Sequence, residues 1–462
     1  MSRAISLLMA AALAGCALPQ GGKTAPPTLE LPQSSVAEVP VALDWWTAFN
    51  DPALTVLVSE ALQNNSDLAR ALARIDEARA LLRLAGADRL PSLYVTAGSS
   101  RQGNSETGSQ NQGPSVSSTH RIALGADYEI DLWSRLAKAD GAARADLLAL
   151  QTTRDALHSV VAVQVVQGYT ALQSLDEQRR LYGASVQAQR DGLQLQQLRA
   201  KAGDIGELDL RQLEAELAAN EAQLPRIERA RGESERALGI LLGRSPRAVI
   251  EQALARSPQA PALVVPEIPA GLPSDLLQHR PEVRAAQARL AAAGARVDIA
   301  RAAYFPRIAL TATLGKESAQ LSNLLDGPSL IWNLAASVTQ PIWGAGRLQA
   351  QSELAQARER LAEVDYRDNV AAAFKDARDA LGARSETAES LRLAQQRSVA
   401  LVKAAELTRL RFNGGEASRL QVIEAERAAL AAQALVADAR RALVVAQADL
   451  YRALGGGWVG GR

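Results

Sequence analysis

The chain has 462 residues, 47% of them hydrophobic but only 4% aromatic, and 51 Lys and Arg against 50 Asp and Glu leave a net charge of +1. That balance gives no basic footprint for nucleic acid, and Ala-rich, aromatic-poor sequence suits long, closely packed helices better than several globular cores. The histidines His120, His158 and His279 lack metal-ligand spacing, and no phosphate loop or nucleophile elbow occurs, so neither catalysis nor a cofactor is expected.

Residues 1–15 read as a signal peptide: one Arg3, an apolar run from Ala4 to Leu13, then small residues before Cys16. Cys16 is the only cysteine, so no disulfide can form. Beyond it no run of about 18 apolar residues occurs, which excludes an inner-membrane helix. Residues 16–50 form an N-terminal tether, Pro-, Gly-, Ser- and Gln-rich from 17 to 43.

Asp51 before Pro52 predicts a helix start. The run Asn64, Asn65, Ser66 predicts a break, with Ser66 capping a second helix that reaches Asp88. The pattern then changes to period two. Leu93, Val95 and Ala97 alternate, as do Ile122, Leu124, Ala126, Tyr128 and Ile130, predicting strands over about 92–102 and 119–132 around a polar loop. From Ser134 to Arg199 there is no proline, and Val161, Val165, Gly168, Leu172, Leu175, Tyr182, Val186 and Leu193 step by three, four or seven. That is a coiled-coil seam, on a rod of about 100 Å at about 1.5 Å per residue. The rod turns back at "KAGDIGE" (201–207) into a return helix ending at Gly243, with a kink expected at Pro225.

After a Pro-rich linker (256–273) the order recurs. Strands are predicted over about 306–316 and 330–343, a second rod over 345–411, a hairpin at "FNGGEAS" (412–418) and a return helix ending at Gly455. Gly203 and Gly415, Leu208 and Leu420, Glu214 and Glu426, and Gly243 and Gly455 are all 212 residues apart, as are Arg135 and Arg347. "ARALARIDEARALLRLAGADRLPSL" (69–93) lies on "RAAQARLAAAGARVDIARAAYFPRI" (284–308) at a spacing of 215. The mature chain is therefore two copies of one unit, repeat 1 over 51–255 and repeat 2 over 274–457, with a tail at 458–462.

Strands of about ten residues with one apolar face belong either to soluble amphipathic hairpins or to a transmembrane barrel. In the second case four strands cannot close, because a membrane barrel needs about eight and tolerates no open edge. Copies of the chain must then pool strands, and geometry alone does not choose between two copies and three.

Several segments together carry a resemblance: "DWWTAFNDPAL" (44–54), Phe305 with Pro306, "QPIWGAGRL" (340–348), "RFNGGEASRLQVIEAER" (411–427) and the duplicated helix-hairpin-helix plan. The chain resembles the TolC-like outer-membrane efflux family. The segment Leu13 to Cys16 and the "WW..F.DP.L" pattern are similar to its lipoprotein (OprM/NodT-like) branch. The resemblance implies a mainly α protein with a membrane β-barrel, assembled as a homotrimer with a 12-stranded barrel and a 12-helix periplasmic tunnel. It implies export of drugs or other small toxic compounds, with a periplasmic adaptor and an inner-membrane pump of the RND type as partners. It also implies lipidation at Cys16, embedding in outer-membrane lipid, and no cofactor. A type I secretion conduit for polypeptides is the alternative within the family; a pore-less coiled-coil lipoprotein spacer is the alternative outside it.

By the same resemblance Gly203, Leu208, Arg411, Phe412, Gly415 and Ser418 belong to the hairpin tips that meet the adaptor. Leu420, Gln421 and Glu424 fall at the periplasmic aperture, where the family places acidic residues. Asp209 and Gln212 stand at the equivalent places of the first copy. On residue chemistry alone the glycines also fit plain helical turns, and Glu424 a solvated helix face.

Overall fold

The structure, a computed structural model, describes residues 44–103, 116–203, 205–251 and 280–456. The elements run α1 (Pro52–Asn64), α2 (Ser66–Ala87), β1 (Ser92–Gly103), β2 (Val116–Ile130), α3 (Arg135–Lys201), α4 (Glu207–Glu221), α5 (Gln223–Leu241) and α6 (Pro246–Glu251). They continue as α7 (Pro281–Ala302), β3 (Arg307–Ser318), β4 (Leu330–Thr339), α8 (Arg347–Asn413) and α9 (Arg419–Ala453). The duplication holds at helix boundaries: α2 and α7 each have 22 residues, and α3 and α8 each have 67. The copies differ on the return path, where α9 is unbroken but the first copy divides at Ala222 into α4 and α5. Pro225 is the cause: it has no N–H for the carbonyl of Glu221, and its ring crowds that carbonyl. Ala437 occupies the equivalent position in α9.

Two compact units form. The first gathers Ile75–Leu150 and Ala285–Arg367. Its strands make an antiparallel sheet in the order β1-β2-β3-β4. The register aligns the predicted apolar positions into rows: Val95 opposite Leu124, Leu124 opposite Leu314, and Leu314 opposite Trp332. The next row joins Leu93, Ala126, Ala312 and Leu334. These rows make one face apolar over its middle, and its outer strands leave it bare, with Val95 at 68%, Trp332 at 76% and Leu334 at 73% exposure. The other face carries rows such as Tyr94, Gly125, Thr313 and Asn333.

Strand ends differ slightly from expectation, for local chemical reasons. β2 stops at Ile130 rather than 132 because Asp131 turns to cap α3, accepting from the Leu136 and Ala137 amides at 3.0 and 2.8 Å. β4 stops at Thr339 rather than 343 because Pro341 cannot donate to a ladder. Trp133 fastens the strand-to-helix junction, stacking on Phe305 at 4.7 Å and donating to the Pro306 carbonyl at 2.7 Å.

The second unit gathers, among the described residues, 44–74, 151–203, 205–251, 280–284 and 368–456. Its core is built on the α3 seam: Val161, Val165, Tyr169 and Leu172 pack with Leu238, Leu242, Val444 and Tyr451. The last part of the expected tether is not loose. Trp45–Phe49 forms a short 3-10 helix, and Trp45, 2% exposed, stacks on Tyr451 at 5.0 Å. Asp51 caps α1 as predicted, accepting from the Ala53 and Leu54 amides while its second oxygen accepts from the Tyr169 hydroxyl at 2.6 Å. The cap of α2 is Asn65, not Ser66. Asn65 accepts from the Asp67 and Leu68 amides and donates to the Leu241 carbonyl at 2.8 Å, joining two helix ends that a hydroxyl could not reach together.

Gly243 ends α5 at φ +70 in a Schellman turn, with Arg244 N–H donating to the Gly239 carbonyl and Gly243 N–H to that of Ile240. A Cβ on Gly243 would lie 2.0 Å from the Asn64 carbonyl oxygen. We predict that Gly243→Ala lowers the thermal midpoint more than Gly415→Ala, where nothing lies within 4 Å of an added Cβ and only the left-handed backbone term of about 1–2 kcal/mol remains. Equal midpoints for the two variants, measured by circular dichroism, would show that Asn64 yields without cost.

Candidate functional site: the hairpin tips

Both tips lie in the second unit. The second tip ends α8 in another Schellman turn: Glu416 N–H donates to the Arg411 carbonyl at 2.8 Å and Gly415 N–H to the Phe412 carbonyl at 3.0 Å. Gly415 sits at φ +80 and its counterpart Gly203 at φ +84, so the echoed glycines share the left-handed backbone conformation. Arg411 holds the loop from outside, 3.8 Å from the Glu416 carboxylate.

α9 then starts on a capping box. Ser418 accepts from the Gln421 amide at 3.2 Å, and the Gln421 side chain accepts from the Ser418 amide at 2.8 Å. The Gln421 side-chain oxygen is therefore engaged at the helix start. Glu424 is exposed and, among the described residues, forms no ion pair. Leu208 at 71% and Leu420 at 47% exposure present apolar surface. Asp209 and Gln212 are half-buried on α4.

Sequence reading missed Arg419. Its guanidinium lies 4.0 Å over the Phe412 ring. Burial pushes it below its ordinary proton affinity, and the carboxylates of Asp209 and Glu426 offset part of that effect. Glu426 also faces Arg409 at 3.7 Å. Arg419 thus feels carboxylates on both α9 and α4. The signal was present in the sequence, since a basic residue directly after the Ser418 cap opposes the helix dipole and needs a compensating acid. His158, exposed on α3 beside Trp46, and the half-buried His120 on β2 stand apart from the tips, and His279 lies outside the described residues, as does Cys16. Among the described residues no cluster of His, Cys, Asp and Glu could hold a metal. No helix among them is long and apolar enough to cross a membrane.

A sequence model of the outer membrane efflux protein family matches the chain over residues 57–244 and again over 272–456, one match per repeat. The chain belongs to the outer membrane efflux protein family, and it is an outer-membrane channel rather than an enzyme. It is 34% identical over 420 residues to the pyoverdine export outer membrane protein OpmQ of Pseudomonas aeruginosa, covering 90% of this chain and 87% of that one. It is 30% identical over 414 residues to the cation efflux system protein CusC of Escherichia coli O157:H7, covering 90% and 88%. In fold it is similar to the Campylobacter jejuni CmeC outer membrane channel, with a TM-score of 0.88 at 24% identity over 94% of this chain and 95% of that one.

The capping box generates a local prediction. Ser418→Ala removes the acceptor for the Gln421 amide, a loss of about 1 kcal/mol. Amide hydrogen exchange should then speed up in the first turn of α9 and stay unchanged around Gly243. Unchanged exchange at Gln421 would show that the cap contributes nothing.

Proposed function

We propose that three copies of this chain form one outer-membrane conduit of a tripartite efflux system, receiving small toxic compounds from a periplasmic adaptor and an inner-membrane RND-type pump. The observation that carries this is the four-stranded sheet with one bare apolar face and two unpaired edges, β1 and β4. In lipid neither edge can stay open, and pairing β1 of one copy with β4 of the next satisfies both. Three copies make a 12-stranded barrel. Two repeats per chain then surround the tunnel with six similar units, so one helical design serves the whole wall.

In this reading the tips around Gly203 and Gly415, with exposed Leu208 and Leu420, are where the adaptor docks. Glu424, repeated three times about one axis, contributes the negative ring of the resting aperture. Gln421 adds no charge there and is committed to its cap, so the ring rests on Glu424, with Asp209 partly offset by Arg419. Cys16, freed by signal cleavage, carries acyl chains that hold the N-terminus to the membrane. Relatives of nearly equal similarity are named for pyoverdine export and for cation efflux, which supports placing cargo choice in the pump rather than in this channel.

Planar-bilayer recording tests the channel. Glu424→Ala is expected to raise single-channel conductance and weaken cation preference, most clearly at low salt, because the Debye length grows from about 10 Å at 0.1 M to about 30 Å at 0.01 M. Conductance and reversal potential that both match the parent at low salt would remove Glu424 from the aperture. A protein that never conducts would overturn the conduit itself.

The anchor has a separate test. One acyl chain binds a membrane only marginally, and the barrel supplies its own insertion. Cys16→Ser should therefore abolish labelling by a fatty-acid analogue and leave the protein in the outer membrane. Labelling that survives the substitution would rule out Cys16 as the acylated residue.

A further inference from the structure

The first unit contains a recess of about 600 Å³ between α7 and α8, close to the start of β3. Arg135, Arg296, Arg307, Arg347 and Arg358 line it together with Ile299, Leu348, Leu354 and Pro341, and no lining residue is acidic. Two carboxylates reach its arginines from outside the lining. Glu129 takes both Arg135, at 2.9 Å, and Arg307, at 2.6 Å, and Asp146 takes Arg296. Among the described residues no carboxylate pairs with Arg347 or Arg358. The recess therefore holds an excess of positive charge beside an apolar wall.

The repeated fold does not require arginine at positions 296, 307 and 358, because the duplicated copy has other residues there. At the spacing that superposes α2 on α7, Arg296 corresponds to Leu81 and Arg307 to Ser92. At the spacing that superposes α3 on α8, Arg358 corresponds to Asp146. Only Arg135 and Arg347, the first residues of their helices, are shared. The corresponding helices have equal lengths in the two copies, so the extra charge belongs to one copy and not to the repeated plan.

The recess also has a definite side. In the sheet register Arg307 and Glu129 fall on the polar face, opposite the row of Ile130, Ile308 and Val338. If the apolar face meets lipid, the recess is reached from the water-filled interior. A cavity of this size, mostly apolar with a few convergent charged groups, matches a drug-sized molecule. Guanidinium forks pair with planar oxyanions in bidentate fashion, and their stems cover apolar bodies.

We propose that this arginine-lined recess binds amphiphilic organic anions, the anionic head held by Arg358, the apolar body laid against Ile299, Leu348 and Leu354, and Arg347, about 16 Å back along α8, adding positive potential at the other end. The proposal rests on the conduit reading for the recess facing the channel, but the binding itself does not. The same chemistry could arrive as free anionic cargo or as the headgroup of an anionic lipid.

Isothermal titration of naphthalene-1-sulfonate into the full-length protein in an uncharged detergent tests the site. Saturable binding of one probe per chain is expected, weakened at least tenfold in Arg347→Ala/Arg358→Ala and largely kept in Arg347→Lys/Arg358→Lys. Naphthylmethylammonium, of the same size and opposite charge, should not compete. No binding, equal affinity in the double alanine variant, or competition by the cation would overturn the proposal. Both arginines are exposed, but should the double variant lose its helical circular dichroism, Arg358→Ala alone takes its place under the same criteria. Repeating the titration in phosphatidylcholine nanodiscs with and without phosphatidylglycerol identifies the source. Weaker probe binding with phosphatidylglycerol assigns the site to lipid, and no change assigns it to free anions. A recording that shows no conductance while the probe still binds would remove the conduit reading and leave the site.

Discussion

A lipid bilayer offers no hydrogen-bond partner to a strand edge, and the described residues of this chain bring four strands to it. Each interior strand, β2 and β3, is paired on both sides; β1 and β4 each keep one open edge. The bare apolar face adds a second demand, since side chains such as Trp332 and Leu334 have no protein covering within the chain. Both demands are met by a barrel shared among copies. The duplicated helices match in length, 67 residues each, as a wall built from repeated units requires.

Duplication also lets the molecule separate what the fold requires from what function adds. The left-handed glycines Gly203, Gly415, Gly243 and Gly455 recur because each long or returning helix must stop in the same left-handed conformation. Where the copies part, a reason can be named. Pro225 breaks one return path while Ala437 leaves the other whole, and the recess between α7 and α8 gains arginines where the first copy has Leu81, Ser92 and Asp146. Differences of this kind are worth more than matches for locating function, because the paired copy serves as an internal control on the backbone.

The aromatic segment before α1 shows how a connection becomes structural. Trp45, Phe49 and Tyr451 form edge and stacked contacts, and Asp51 serves a helix cap and a tyrosine hydroxyl at once. Residues Trp45–Phe49 are thus fixed to the end of α9 by aromatic packing.

By itself the sequence determined the two repeats, the four strands, the 67-residue helices and the glycine turns, because period, proline-free length and left-handed backbone are local properties written residue by residue. Asp51 and Pro225 were legible for the same reason, since a cap and a missing N–H act within one turn. Tertiary structure decided what depends on residues brought together from afar. Asn65 rather than Ser66 caps α2 because the Leu241 carbonyl, 176 residues away, rewards the longer side chain. Arg419 became a tip residue only when the hairpin brought the Phe412 ring under its guanidinium. The five arginines of the recess come from helices and a strand scattered over the first unit, and no spacing along the chain could have shown that they share one cavity.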